Sequence, residues 1–294
     1  SYNVSDVDGL RQQYADDRHL RVRQEIHEQY SIPNVDFAAW VLERGALGGQ
    51  KRVLDVGAGG GSYYRAIREH YPETDYVATD FSYGVLARHE ASNRRVVCDA
   101  QRLPFTAGTF DIVMANHMLF HVQDIEQAIF EFKRMLKPDG LLLTATNSIQ
   151  TMPEFQALFR RALLLLSTHV RPNSPYLMPP HEAFTLENGV RRLARHFFAI
   201  VRHDLPSALV FPETEPVMAY LHSMRSIREE MLPPDITWDA LMEAMYDQVN
   251  RVITLQGELV INKLSGVLVA SDAGGFIGEY HALLHKSQAK KGRK

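Results

Sequence analysis

Cysteine is almost missing: Cys98 is the only one in 294 residues. One thiol forms no intrachain disulfide and cannot supply the thiolate set of a structural zinc site, so stapled and zinc-built scaffolds are excluded. A reducing compartment is expected. No apolar run approaches the roughly 18 residues that span a bilayer, and the N-terminal stretch SYNVSDVDGLRQQYADDRH lacks the apolar core of a secretion signal. The expectation is a cytoplasmic protein without a membrane span. No repeat period and no low-complexity stretch is visible, which removes solenoids and arrays. Strong positive charge is also lacking. The net charge is −3, and removing the five cations of the tail, Lys286, Lys290, Lys291, Arg293 and Lys294, leaves −8 on residues 1–285. A body of that sign has no electrostatic footprint for phosphate backbones, so nucleic acid is excluded as a first choice of substrate. The basic tail reads as a solvated end. No compact carboxylate and histidine set has metal-ligand spacing, so no metal is expected. Nothing in the pattern specifies an oligomeric state.

What is present is an ordinary globular composition, 45% hydrophobic and 23% charged, enough for a sizeable core. From Lys51 to Asn147 short apolar runs alternate with helical patterns. The runs are Arg52–Val56, Asp75–Asp80, Arg94–Cys98, Phe110–Ala115 and Leu141–Ala145, and the helices lie at about Ser62–His70, Ser82–Ala91 and Asp124–Leu136. That alternation predicts an α/β fold, a doubly wound and mostly parallel sheet with helices on both faces. Asp124 can cap its helix, whose Ile125, Ala128, Ile129, Phe132, Met135 and Leu136 share one face, and Lys137-Pro-Asp-Gly140 should stop it. Asp111 should bond local backbone where its strand begins. Beyond Thr151 helical segments dominate (Phe155–Leu166, Glu187–His196, Glu215–Ile227, Asp239–Leu255), broken by the proline-rich Arg171–Pro180. The β-like runs Phe197–Phe211 and Glu258–Ala270 should complete the sheet as an antiparallel pair. The helices around them then form a cap, and the first 45 or so residues are helical and pack over the same mouth.

The strongest local signal is Arg52-Val-Leu-Asp-Val-Gly-Ala-Gly-Gly-Gly-Ser-Tyr63, a strand running into glycines and then a helix. Glycines admit close backbone approach and the first helical N–H groups are unpaired, so the turn is suited to a ligand's polar groups. The spacing is G-x-G-x-G through Gly57, Gly59 and Gly61. A dinucleotide fingerprint would need a small residue at position 62 and meets Ser62, which weakens the NAD(P) reading without removing it. Asp55, just before the glycines, would repel a pyrophosphate but can accept hydrogen bonds from an ammonium group or water. It favours a ligand with a cationic end.

Val53-Leu-Asp-Val-Gly-Ala-Gly-Gly-Gly61 resembles motif I of the class I S-adenosylmethionine-dependent methyltransferases, and further family segments follow in order. Asp80 ends the second strand. Asp99-Ala100 with Leu103-Pro-Phe105 resembles the family's D-A-x-x-L-P-F segment, Phe110–His121 its fourth-strand motif, and Leu136-Lys-Pro-Asp-Gly-Leu-Leu142 its turn into the fifth strand. The resemblance spans about residues 50–147 and is similar in kind to the quinone-biosynthesis methyltransferases. It implies a Rossmann-like seven-stranded sheet of order 3-2-1-4-5-7-6 with the last strand antiparallel. It also implies S-adenosylmethionine as cofactor, with S-adenosylhomocysteine as product, bound by Asp55, Gly57, Ala58, Gly59, Gly61, Asp80 at the ribose, Phe81, Asp99 and Ala100 at the adenine, Asn116, and Tyr14 from the N-terminal helices. The expected organisation is an N-terminal helical lid (1–48), a cofactor-binding core (49–150), a helical cap around strand six (151–257), the last strand and C-terminal segment (258–285), and a basic tail (286–294).

In such a fold the acceptor lies outside the carboxyl ends of the strands, next to Asn116-His-Met-Leu-Phe-His121. His117 and His121 are the candidate bases, because imidazole titrates near neutrality; His121 reads first as a structural hydrogen bond or helix cap, and Cys98 reads as a small packed residue. Tyr14, Arg18, His19 and Tyr30 flank helices that could meet the carboxylate end of the cofactor. The segment Ala115-Asn-His-Met118 lacks the Pro-Pro-aromatic element that grips an extruded base, a second argument against nucleic acid. The cap's Phe155, Phe159, Leu163, Tyr176, Met178, Phe184, Met218, Tyr220, Met224, Met242 and Met245 suggest an apolar acceptor pocket or a plain core. The expected function is methyl transfer to an O, N or C atom of a small organic molecule. The alternatives are an NAD(P)-dependent oxidoreductase, separable by cofactor binding, and an inactive binding protein, separable by product formation.

Overall fold

A computed structural model describes residues 17–91, 94–171, 173–177, 183–273, 277, 278, 280–282 and 285. The sheet grows from β2 (Arg52–Val56), whose Val53, Leu54, Asp55 and Val56 are all buried, as a strand covered on both faces requires. β3 (Asp75–Asp80) lies parallel on one side and β5 (Phe110–Met114) on the other. Outward from these come β4 (Arg95–Val97), parallel to β3, and β6 (Leu136–Asn147), parallel to β5. β7 (Ala199–Phe211) and β8 (Leu259–Ser271) pair antiparallel over 13 registered positions, and β8 is antiparallel to β6 as well.

The sheet has eight strands, not the expected seven, in the order β1-β7-β8-β6-β5-β2-β3-β4. The correction is β1 (Ser31–Ile32), which pairs antiparallel with Leu209 and Ala208 on the outer edge of β7. The β7 edge otherwise presents unpaired N–H and C=O groups, and the chain leaving α1 (Asp17–Tyr30) covers part of it. Two residues are too few to show a period of two.

Helices cover both faces. α3 (Ser62–His70) buries Tyr63, Ala66 and Ile67, and α5 (Ile125–Met135) buries Ile125, Ala128, Ile129, Phe132 and Met135, the face its spacing predicts. Asp124 caps α5 by accepting from the Gln127 amide at 3.0 Å. The stop after α5 differs from expectation. Leu136–Gly140 is not a free turn but the extended start of β6: Phe110 pairs with Leu136 and Ile112 with Leu141, and the register shifts between them. Asp111 sits at this bulge, accepting from the Arg52 amide at 2.9 Å and from Lys137 Nζ at 3.0 Å. The helix expected over 82–91 shortens to α4 (Tyr83–Leu86), because Arg95 draws the Leu86, Ala87 and His89 carbonyls out of helical pairing.

α2 (Phe37–Leu42) packs beside α3, and α7 (Leu186–Leu193), closed by a Thr185/Asn188 capping box, lies over β7 and β8. The cap combines α6 (Pro153–Leu166) with three helices between β7 and β8: α8 (Thr214–His222), α9 (Arg225–Arg228) and α10 (Trp238–Gln256). Phe155, Phe159, Leu163, Tyr220, Met242 and Met245 pack with Trp238, Leu241 and Phe211 into a separate hydrophobic cluster. Those apolar cap residues are therefore core. Phe184 belongs to the cluster under α5, Tyr176 is exposed, and Met178 falls outside the described residues. Among the described residues no helix is long and apolar enough to cross a membrane.

Candidate functional site

β2 delivers its chain into the turn at Gly57, and three glycines there hold left-handed backbone: Gly57 at φ 72°, Gly59 at 55° and Gly61 at 85°. At Gly57 the requirement is also steric, since a Cβ would stand 2.8 Å from Cβ of Met118. The turn is tied to the next strand. Ala58 donates its amide to the Thr79 carbonyl at 2.9 Å, and Gly59 donates to Asp80 Oδ2 at 3.1 Å. Asp80 Oδ1 accepts from the Ser82 amide at 2.8 Å, so one carboxylate bridges the glycine turn and the start of α4. Burial raises its pKa against the pull of these backbone donors. Gly61 caps α3 without any side-chain bond, so the first N–H groups of that helix lack a side-chain acceptor.

Asp55 does not line the open surface of the turn. It is 1% exposed and accepts a 2.6 Å hydrogen bond from the Tyr76 hydroxyl. Burial pushes its carboxyl up to about 7; the Tyr76 bond opposes this and the Asp80 charge adds to it. His89 stacks on Tyr76 and lies against Gly61, and its Nδ1 accepts from the Ala91 amide at 3.1 Å. Tyr76 and His89 were not indicated by the motif. The signal available was Tyr76's place on the same strand face as Ala78 and Asp80.

On the neighbouring rim β4 leads to Asp99 and Ala100. Asp99 is gripped by its own turn, accepting from the amide and side chain of Gln101, whose Oε1 accepts the Asp124 amide at 2.9 Å. The 103–105 segment is fixed by Glu131 and Arg134: Glu131 accepts from the Leu103 amide and Arg134 donates to the Leu103 and Phe105 carbonyls. Ala100 is buried, while Phe81 is exposed beside Asp80. Cys98 is partly buried and its thiol is pushed up to about 11, so it stays protonated.

At the end of β5, Asn116 is 7% exposed. Its Oδ1 accepts from the Ala145 amide at 2.8 Å, which fixes the amide orientation and leaves Nδ2 a buried donor without a partner. His117 follows in left-handed backbone at φ 52°, held by its amide on the Ala145 carbonyl at 2.8 Å. Its ring lies 5.4 Å from that of Phe37 on α2, and His27 of α1 is within electrostatic reach. Desolvation lowers His117 to about 4, so its imidazole is neutral near pH 7. His121 sits on a single 3₁₀ turn, its ring 4.4 Å from that of Phe120, and burial lowers it to about 4 too. The structure thus brings Gly57–Gly61, Asp80, Asp99, Asn116 and His117 to one end of the sheet. Tyr14 lies outside the described residues, as does the side chain of Arg18. Among the described residues no group of three or more His, Cys, Asp or Glu side chains is placed to hold a metal ion.

Comparison with known proteins agrees with this geometry. The family model described as a methyltransferase domain matches residues 54–144. A malonyl-[acyl-carrier protein] O-methyltransferase of Geobacter sulfurreducens is 31% identical over 188 residues, 60% of this chain and 65% of the relative. A demethylmenaquinone methyltransferase of Beutenbergia cavernae is 33% identical over 154 residues, 50% of this chain and 61% of the relative. The chain spans less than two thirds of either relative's length. A solved structure of a candidate methyltransferase from Bacillus halodurans C-125 superimposes with TM-score 0.53 at 20% identity, covering 81% of this chain and 99% of the other; it shows the shared fold. The glycine turn between Asp55 and α3 thus lies in this sheet and within residues 54–144, which match the model of a methyltransferase domain.

Proposed function

We propose that the chain is an S-adenosylmethionine-dependent methyltransferase that places a methyl group on an O, N or C atom of a small organic acceptor by in-line displacement. The observation that carries it is the left-handed Gly57–Gly61 turn facing Asp80 above an uncapped helix, within the residues that match a methyltransferase domain. The residues present fit the cofactor chemically. The unpartnered Nδ2 of Asn116 is a buried donor whose isolation costs about 1–3 kcal/mol, a cost a ligand acceptor would remove. Gly57, Ala58, Gly59 and Gly61 would offer backbone to the amino-acid portion, Asp80 a pair of acceptors to the ribose diol, and Asp99, Ala100 and Phe81 the adenine contacts. Asp55 would support the turn from below through Tyr76. When bound, the cofactor supplies an electrophilic methyl group on sulfur. The protein's own work is then to align the acceptor and exclude water.

The two relatives are named for different acceptors, a carrier-bound malonyl group and a demethylmenaquinone, so the acceptor has to be sought in this chain's own residues. Calorimetric titration tests the reading: S-adenosylhomocysteine should bind with micromolar affinity and NADH should not bind. Tight NADH binding without S-adenosylhomocysteine binding would overturn it.

His117 is the residue we place against the acceptor, with His121 behind it supporting the 3₁₀ turn. A ring held near 4 is neutral and can accept a hydrogen bond throughout the neutral range, but it is a weak base. His117→Asn, which tolerates the left-handed backbone, should lower turnover about tenfold, short of the 10²–10⁴ of a full general base. Cofactor affinity should stay within a few-fold, and the wild-type rate should show no ionisation near 6.5 from this residue. Unchanged turnover in His117→Asn removes it from the chemistry.

A further inference from the structure

Beneath the glycine turn runs a buried chain of hydrogen bonds whose direction is fixed from one end. A backbone N–H only donates, so the bond from the Ala91 amide to His89 Nδ1 makes Nδ1 the bare nitrogen and puts the hydrogen of the neutral ring on Nε2. Burial and the nearby Arg95 lower the His89 pKa, which keeps that ring neutral. Nε2 stands 3.4 Å from the Tyr76 hydroxyl oxygen, which accepts there and gives its own hydrogen to Asp55 Oδ2 at 2.6 Å. An O–H···O bond of that length is typical of an ionised acceptor. The Tyr76 hydroxyl itself stays protonated, its pKa raised by burial and by Asp55. All three side chains are buried. They also bracket the turn: Asp55 stands two residues before Gly57, and a Cβ at Gly61 would lie 3.1 Å from His89 Nε2.

The surroundings of Asp55 work against this chain. Desolvation disfavours the anion, and the charge acting on it is that of Asp80, of the same sign. From α3, the Tyr63 hydroxyl lies within electrostatic reach of Asp55 but forms no hydrogen bond among the described residues. The nearby cations act on the relay: Arg68 of α3 on Tyr76, and Arg95 of β4 and Arg65 of α3 on His89, with Glu90 opposing them. Tyr64 of α3 packs its ring against both, with centroids 5.1 Å from Tyr76 and 5.5 Å from His89. The Tyr76 bond is therefore what makes a charge on Asp55 tolerable. A buried carboxylate so poorly compensated gains most from a partner that brings positive charge.

We propose that Tyr76 and His89 are positioning residues for the cofactor: their hydrogen-bond chain holds the Asp55 carboxylate oriented and negative under the glycine turn, so that a ligand with a cationic end binds with release of a proton. This inference rests on the methyltransferase reading for the identity of the ligand, and the test separates the two. S-adenosylhomocysteine, whose amino group is the cationic end, is titrated calorimetrically at pH 8 and pH 6. With Asp55 at about 7, wild-type affinity should be about tenfold weaker at pH 6 than at pH 8. Losing a hydrogen bond to a carboxylate raises its pKa by about one unit, so Tyr76→Phe should bind about twofold more weakly than wild type at pH 8 and about tenfold more weakly at pH 6. Titration of Asp80 is common to both proteins, so the difference between them reports on Asp55. His89→Asn keeps an acceptor for the Ala91 amide and loses the donor to Tyr76; it should shift the profile the same way, by about threefold at pH 6. At pH 7, titrations in phosphate and in Tris should show about half a proton released by wild type and more by Tyr76→Phe. Thermal melts establish that the variants are folded, and His89→Asn decides on the same criterion if Tyr76→Phe is not. A wild-type affinity independent of pH, or weakening by the same factor at both pH values, overturns the relay, since a merely structural role would not move the profile. Failure of S-adenosylhomocysteine to bind wild type at either pH overturns the methyltransferase reading instead.

Discussion

Valine at position 57 is expected to reduce S-adenosylhomocysteine affinity by at least about 100-fold, equivalent to about 2.7 kcal/mol. Two costs act together. Gly57 holds φ 72°, a conformation worth about 1–2 kcal/mol against any L side chain and more against a β-branched one. Its new Cβ would also stand 2.8 Å from Cβ and 3.0 Å from Cγ of Met118, near backbone that cannot swing away. The turn must therefore shift, and it carries Ala58 and Gly59, whose amides reach the Thr79 carbonyl and Asp80. Gly60→Val is the control: nothing lies within 4 Å of a Cβ there and its backbone is not left-handed. Its affinity should stay within about threefold of wild type, with thermal melts showing both variants folded. A Gly57→Val protein that binds like the control would show that the turn does not hold the cofactor.

Mild acid should destabilise the protein through its buried imidazoles. His117, His121 and His203 are lowered to about 4 and His27 to about 3, with desolvation the largest cause in each. Between about pH 6.5 and 4 these four imidazoles are protonated in the unfolded chain and neutral in the folded one. Their contribution is therefore complete above 6.5 and lost as pH falls through that window, each at a limiting slope of about 1.4 kcal/mol per pH unit. Asp55 acts in the opposite direction. Its folded carboxyl is raised to about 7, so the folded state holds a proton the unfolded state lacks, and that term strengthens as pH falls from 7 towards 4. Four terms against one leave a net loss on the order of 3 kcal/mol between pH 7.5 and 5.5, a large share of a typical 5–15 kcal/mol stability. Urea unfolding at the two pH values measures it. Equal or greater stability at pH 5.5 would show that these histidines are not held neutral.

Much of this was legible in the chain. Short apolar runs mark β2 and β3 at their observed bounds, and α5 shows its buried face and its Asp124 cap, because each is set by residues within a turn or two of one another. The Gly57–Gly61 turn is equally local, since only glycine occupies three left-handed positions in five residues without strain.

Other features depend on where distant segments meet. Asp55 reads as an exposed ligand for a cation until Tyr76, 21 residues on, is found over it and the carboxylate proves 1% exposed. The eighth strand exists because the β7 edge at Ala208–Leu209 stands open where Ser31 and Ile32 pass. The span Leu136–Gly140 looks like a turn by composition, but pairing with β5 extends it. The sequence by itself thus determined the apolar strand runs, the buried face and cap of α5 and the glycine turn, all products of short-range sterics and local apolar patterning. Only the tertiary structure decided which charges are buried and which imidazoles stay neutral, because desolvation and Coulomb energy depend on neighbours that sheet register alone brings together.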